Sequence, residues 1–235
     1  MAPHLAELVV DAGGLENLVG VVSYSDFPES IKNIQKIGDA FKVDFETIVS
    51  LQPDYVLTWK DGTPNSIINK LKQLNIEVIE TDISSIKDIP TTIHQISKLI
   101  NTQAIAAKEI EQFNQKLNSI SHQSHPKLSA FIQVSIKPIY TISATHWMSE
   151  AIALCGYENV FYDLKQISAP ISLESIIAKN PEAIININQV NDDKWKQWPD
   201  LKAVKNNKIY TFSADIFSRP SPRLLDGIQQ LCATN

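Results

Sequence analysis

Arginine is nearly absent from this chain: 235 residues contain two, Arg219 and Arg223, both in one short stretch. With a formal net charge of −5, that scarcity excludes nucleic acid as the principal partner, because phosphate recognition needs a basic, arginine-bearing face. Glycine is also sparse, at seven residues, and no G-x-G-x-x-G, P-loop or G-x-S-x-G segment occurs. The usual phosphate-cradling loops and the nucleophile elbow are therefore missing. No pair of carboxylates stands at a recognisable catalytic spacing, so the chain is expected to be no enzyme, with no catalytic residue and no cofactor. No apolar run approaches the roughly 20 residues that cross a bilayer. The opening Met1-Ala2-Pro3-His4 lacks the basic start and apolar stretch of an export signal. The two cysteines, Cys155 and Cys232, fit a long-loop disulfide or two buried thiols, and composition does not choose between them.

What the chain does have is a unit written twice. Residues 45–57 read FETIVSLQPDYVL and residues 173–185 read LESIIAKNPEAII. Both run apolar, Glu, polar, Ile, apolar, three spacers, Pro, acid, any, then two apolar residues, offset by 128 positions. Apolar residues at 45, 48 and 49, and at 173, 176 and 177, follow helical spacing. Each Glu, Glu46 and Glu174, lies in the first turn, where the helix dipole favours a carboxylate. Each Pro stops the helix, having no N–H to donate. The apolar bursts that follow, Tyr55–Trp59 and Ala183–Ile187, read as strands of a parallel sheet covered by helices. One supersecondary unit used twice predicts two similar lobes with a cleft as the site of function.

Around the repeats the spacing predicts a helix over Pro3–Asp11, a turn and strand over Leu15–Val22, a loop at Ser23–Pro28, a helix over Ser66–Leu74 and a strand over Glu77–Thr81. Apolar residues then keep helical spacing from Ile86 to Ile120, with a break at Asn101-Thr102. Strands Leu128–Val134 and Ile139–Ile142, helix Trp147–Leu154 with Gly156 at its end, strand Lys208–Phe212, loop Ser213–Pro222 and helix Arg223–Cys232 complete the chain. The expected division is an N-terminal lobe over 1–85, a helical linker over 86–122 and a C-terminal lobe over 123–235. The fold class is α/β, two Rossmann-like lobes with mainly parallel sheets joined by one long α-helix.

Ligand-facing residues are expected in loops beyond the carboxyl ends of parallel strands. These hold Tyr24 and Asp26, Trp59 to Thr63, Tyr140 to Trp147, and Asp215 to Arg219. They are rich in aromatic rings, which suit a large, flat, partly apolar ligand. Trp195 and Trp198 are expected in surface or lobe packing. His4, His146 and Asp215 would supply two imidazoles and a carboxylate, but no HxxxH or CxxC spacing accompanies them, and no metal is expected.

Several segments together carry a resemblance: VVSYSDFP at 21–28, the first repeat, TWKDG at 58–62, CGYENVF at 155–161 and SADIFSRPSPR at 213–223. In order, and over essentially the whole length, they are similar to the periplasmic vitamin B12-binding proteins of cobalamin ABC importers. These fall within the wider family of helical-backbone (class III) periplasmic binding proteins for siderophores, haem and cobalamin. The resemblance implies a non-enzymatic, periplasmic, monomeric transport protein, with cobalamin or a related corrinoid as transported ligand and the transmembrane subunits of an importer as partner. It implies ligand contacts at Tyr24, Trp59, Tyr140, Trp147, Asp215, Phe217 and Arg219, docking contacts at Glu46 and Glu174, and a disulfide between Cys155 and Cys232. The chain departs from the family pattern at Phe41, Val134 and Ser168, where the B12 proteins carry other aromatic residues; Trp147 is expected to compensate. Family chains also carry an export signal and an apolar strand ahead of the segment that here reads Pro3-His4-Leu5-Ala6-Glu7. The expectation is a start further upstream and a first lobe short of one central strand. A ferric siderophore or haem in the same fold is the alternative ligand. A tetrapyrrole metal chelatase, with His4 or His146 as base, is the enzyme alternative.

Overall fold

The computed structural model describes residues 1–39, 42–60, 62–187 and 192–235. Phe41 and Asp61 lie outside the described residues. The chain divides into two compact units: Met1–Ile83 with Lys87–Asn114, and Ser84–Ile86 with Gln115–Asn235.

In the first unit α1 (Pro3–Asp11) carries Pro at its start, where the missing N–H has no helical partner to lose. The repeat follows as α2 (Phe45–Leu51) and β1 (Tyr55–Trp59), then α3 (Asn65–Gln73) and β2 (Glu77–Thr81). β1 and β2 pair in parallel, with Val56 opposite Val78 and Trp59 opposite Thr81. α4 (Asp88–Leu99) packs on α1 within this unit. The core joins Val22, Ile37, Ile48, Val56, Ile67 and Leu71.

The long helical stretch is two helices. Asn101 takes a left-handed φ of 58° between α4 and α5 (Gln103–Ser121), as the Asn-Thr break predicted. Thr102 fixes the corner, its hydroxyl donating to the Ala12 carbonyl at 2.5 Å. The segment expected as a linker over 86–122 is thus partitioned: α4 belongs to the first unit, while α5 starts in the first and ends in the second.

In the second unit β3 (Leu128–Gln133), β6 (Tyr157–Asn159), β8 (Ala183–Asn186) and β9 (Ile209–Thr211) form a parallel sheet in the order β6-β3-β8-β9. A separate antiparallel sheet joins β4 (Ser135–Ile136), β5 (Ile139–Ile142) and β7 (Ser168–Pro170). Helices α6 (Trp147–Ala153), α7 (Leu173–Lys179), α8 (Lys202–Lys205), α9 (Ala214–Phe217) and α10 (Leu224–Cys232) complete it. The core gathers Phe131, Phe161, Ile176, Ile184, Trp195 and Leu201. Trp195 is fully buried and its indole N–H donates to Gln133 Oε1 at 3.1 Å, so it serves lobe packing rather than the surface. Gly156 follows α6 with φ 79°, and a Cβ there would stand 2.4 Å from the Pro126 carbonyl oxygen. Cys155, just past α6, and Cys232, at the end of α10, form a disulfide across 77 residues, which settles the choice composition left open.

Three expectations need correction. The strand predicted to end at Val22 is a 3-10 turn (Leu15–Asn17) and one bridge, Val21 with Lys36. The extended run stops because Tyr24 turns to a left-handed φ of 65°. The loop predicted over Ser213–Pro222 contains α9, closed by Phe217 N–H donating to the Ser213 carbonyl at 3.0 Å and stopped before Pro220 and Pro222. Val49 and Ile177, expected on the buried stripe of their helices, are exposed at 47% and 40%. A seven-residue helix meets its core along one line, and Ile48 and Ile176 occupy that line.

Candidate functional site

The two repeats fold alike. Asp44 caps α2, its carboxylate accepting from Thr47 N–H at 3.0 Å, and Ser172 caps α7, its hydroxyl accepting from Ser175 N–H at 3.2 Å. Both helices end on a left-handed residue directly before the proline, Gln52 at φ 47° and Asn180 at φ 44°. Ile48 and Ile176 anchor them in their separate cores, and Val56 and Ile184 anchor the following strands. Glu46 and Glu174 point into solvent, and among the described residues neither forms an ion pair. Hydrogen bonds from its own backbone N–H, and then from the Ser172 hydroxyl, hold the Glu174 carboxyl below its ordinary pKa.

In the first unit Trp59 ends β1, at the carboxyl end of a parallel strand, and is half-buried. The His4 ring stands edge-on to it at 5.2 Å and 89°. Gly62 lies against the indole: a Cβ on it would stand 2.1 Å from Trp59 Cε3. The sequence placed Gly62 in the loop after the strand but not against the indole, a contact signalled only by a glycine three residues after a strand-ending tryptophan. Tyr24 is 78% exposed. Its loop is tied down on either side, by Ser23 Oγ donating to the Gly38 carbonyl at 3.0 Å and Lys36 Nζ donating to the Ser25 carbonyl at 3.0 Å. Tyr24 is thus a largely exposed ring on a left-handed backbone within a braced loop, a conformation uncommon for a bulky residue.

In the second unit Asp215, on α9 just beyond β9, meets Arg219 one turn later, with guanidinium nitrogen and carboxylate oxygen 2.9 Å apart. The arginine side chain is 8% exposed and the aspartate 63% exposed. The buried partner is thereby held and the acid left able to accept further hydrogen bonds. Arg223 donates to the Asp215 carbonyl at 3.2 Å. Phe217, between them in sequence, is buried against Phe212, with ring centres 4.9 Å apart, and against Gly227 of α10. Trp147 is buried at the start of α6, tilted on His146 at 4.9 Å. Tyr140 is half-buried in β5. His146 Nδ1 accepts from Met148 N–H at 3.1 Å, and burial pushes its pKa down to about 4. A neutral imidazole spent on a helix cap is a poor proton-transfer base. Among the described residues no group of three His, Cys, Asp or Glu could hold a metal ion.

An apolar cavity of about 250 Å³ opens in the first unit, walled by Leu5, Val9, Val21, Val56 and Leu57 among others, with neither Tyr24 nor Trp59 in its walls. It is smaller than the roughly 300–1,000 Å³ of usual ligand pockets. No described helix is long and apolar enough to cross a membrane.

The sequence matches the periplasmic binding protein family over residues 2–216. It is 31% identical to the vitamin B12-binding protein of Vibrio cholerae serotype O1, over 99% of this chain and 86% of that protein. The fold superposes on the crystal structure of the periplasmic vitamin B12 binding protein BtuF of Vibrio cholerae with a TM-score of 0.93, at 30% identity, covering 100% of this chain and 94% of that one. It also superposes on a possible iron-binding (periplasmic solute-binding) protein of Staphylococcus epidermidis with a TM-score of 0.85, at 25% identity, covering 99% of this chain and 95% of that one. With two α/β units, a repeated helix–strand element in each and this end-to-end similarity, the chain belongs to the periplasmic binding protein family.

Proposed function

We propose that this protein captures cobalamin or a related corrinoid in the periplasm and delivers it to an ABC importer, without catalysing a reaction. The observation that carries this reading is the 31% identity, over 99% of the chain, to a vitamin B12-binding protein. The chemistry of the loops supports it. Tyr24 and Trp59 offer exposed and half-exposed ring faces to the apolar parts of a corrin, and Tyr140 a third. Asp215 presents carboxylate oxygens to amide N–H groups at the corrin rim, and the buried Arg219 orients that carboxylate through the ion pair. Phe217 and Trp147 serve from beneath, as buried supports of that ligand surface. Glu46 and Glu174 meet basic residues of the importer's two transmembrane subunits. The binding protein acts as a monomer and needs no resident cofactor.

Calorimetric titration with cyanocobalamin, beside haemin and a ferric hydroxamate, tests the reading. Saturable binding of cyanocobalamin at micromolar protein, tighter than that of the other two, is expected. Absence of heat and of any spectral change with cyanocobalamin overturns it. The Staphylococcus epidermidis structure described as a possible iron-binding protein, at 25% identity, favours a ferric ligand as the second reading, and the same titration decides between them. The small number of arginines, two in the chain, disfavours an anionic ferric siderophore.

A further inference from the structure

Three residues on α2 and three on α7 share one arrangement. Glu46, Val49 and Ser50 stand at helix positions i, i+3 and i+4, and so do Glu174, Ile177 and Ala178, which puts each set on one continuous face. All six are exposed, and the succession from half-buried through exposed to buried is the same at 45–50 as at 173–178. Chance leaves single aliphatic side chains on surfaces routinely. Here, however, a branched aliphatic lies open to water at the same place in both copies, in two units with separate cores, each time one turn from the glutamate. Val49 at 47% and Ile177 at 40% exposure both belong to the exposed large hydrophobic residues among those described. Ser50 and Ala178, the small residues beside them, leave room for a close approach.

We propose that each unit docks through a two-part contact, a carboxylate with an aliphatic side chain one turn later, so that Val49 and Ile177 are docking residues in their own right. The occupant is a partner that offers the same surface twice: a basic side chain beside a shallow apolar depression. Charge fixes the first half, since each acid is exposed and has no ion-pair partner among the described residues. Shape and polarity fix the second. A branched aliphatic flanked by a small residue fits a hollow lined by apolar groups, and its burial strengthens the neighbouring ion pair by excluding water. The duplicated pattern calls for a duplicated partner surface. This inference rests on the docking role of Glu46 and Glu174 proposed above.

The test is equilibrium binding of the cobalamin-loaded protein to the cobalamin ABC importer of its own source organism, held in lipid nanodiscs, as a function of salt. Variants V49S and I177S are each expected to raise Kd about fivefold or more, and the double variant by about the product. Their salt dependence should stay that of the parent, because no charge is removed. Variants E46A and E174A should raise Kd and flatten the salt dependence. V49I should bind like the parent, and cobalamin affinity should be unchanged throughout. If E46A and E174A weaken docking while V49S and I177S do not, this inference alone is overturned. If the parent protein does not bind the importer, or E46A and E174A bind as the parent does, the docking reading beneath it is overturned too.

Discussion

Gly62 lies against the six-membered ring of Trp59, so close that a Cβ would stand 2.1 Å from Cε3 and 2.5 Å from Cζ3. A ring is not a flexible side-chain tip that can swing aside cheaply, and His4 closes on it edge-on. Gly62→Ala should therefore displace the indole and lower stability by about 1–3 kcal/mol through overpacking. Chemical denaturation measures the loss. A shifted tryptophan emission that is absent in a Trp59→Phe background shows that this ring is the one that moves. Cyanocobalamin affinity should fall with it.

Arg219 is the buried half of an ion pair whose acid is exposed. Replacing the fork-shaped guanidinium by a single ammonium, in Arg219→Lys, keeps the charge and loses the geometry. Ligand affinity should drop about tenfold or more while the fold persists. Asp215→Ala takes a carboxylate away from a buried guanidinium, so it should cost about 1–3 kcal/mol of stability as well as affinity. Titration calorimetry and thermal unfolding on the same samples separate the two effects.

His146 gives stability a pH dependence of definite sign. Its folded pKa lies near 4, pushed down by burial from an ordinary 6.5. Between those values the unfolded chain takes up a proton that the folded protein refuses. Stability should therefore fall as pH drops from about 6.5 toward 4, by no more than about 1.4 kcal/mol per pH unit from this group. Hydrogen bonds hold the carboxyls of Asp44, Glu174 and Glu182 low, so their contribution is present above the ordinary carboxylate range and lost below it. The buried Met1 amino group, pushed down to about 5 by desolvation, acts in the same direction below pH 8, so the share of His146 is read as the difference between parent and variant. His146→Asn keeps an acceptor for Met148 N–H and should flatten the decline of Tm across pH 6.5 to 5 relative to the parent.

The Cys155–Cys232 bridge ties the end of α6 to the end of α10 within the second unit. Closing a loop of this length removes up to about 4–5 kcal/mol of unfolded-state entropy in the chain-entropy model. Cys155→Ser with Cys232→Ser should lower the unfolding midpoint by a corresponding amount, and a reductant should do the same to the parent but nothing further to the double variant. Cyanocobalamin affinity measured below the lowered midpoint should be close to that of the parent.

The local elements were legible because local rules make them. Pro3, Pro53 and Pro181 place helix boundaries through a missing N–H, and helix α1 and strands β1 and β2 stand where spacing and β-branched runs put them. The two-unit plan was legible because the repeat holds its spacing across 128 positions. The strand expected to follow the turn and end at Val22 failed for a tertiary reason: an extended run becomes a strand only if a neighbour pairs along it, and here the chain turns away at Tyr24 after one bridge. The short helix α9 was hidden among Ser and Pro residues that read as loop, although it is what brings Asp215 and Arg219 to ion-pair distance.

By itself, then, the sequence determined the class of elements, the doubling, and the place of an acid in the first turn of each repeated helix, since periodicity, proline and helix dipole all act within a few residues. Only tertiary structure decided which apolar residues of those helices are core. Ile48 and Val49 are equally apolar neighbours, as are Ile176 and Ile177, and spacing treats each pair alike. Packing separates them, because a seven-residue helix lays one line of side chains on its sheet and turns the next residue, about 100° around the axis, out to water.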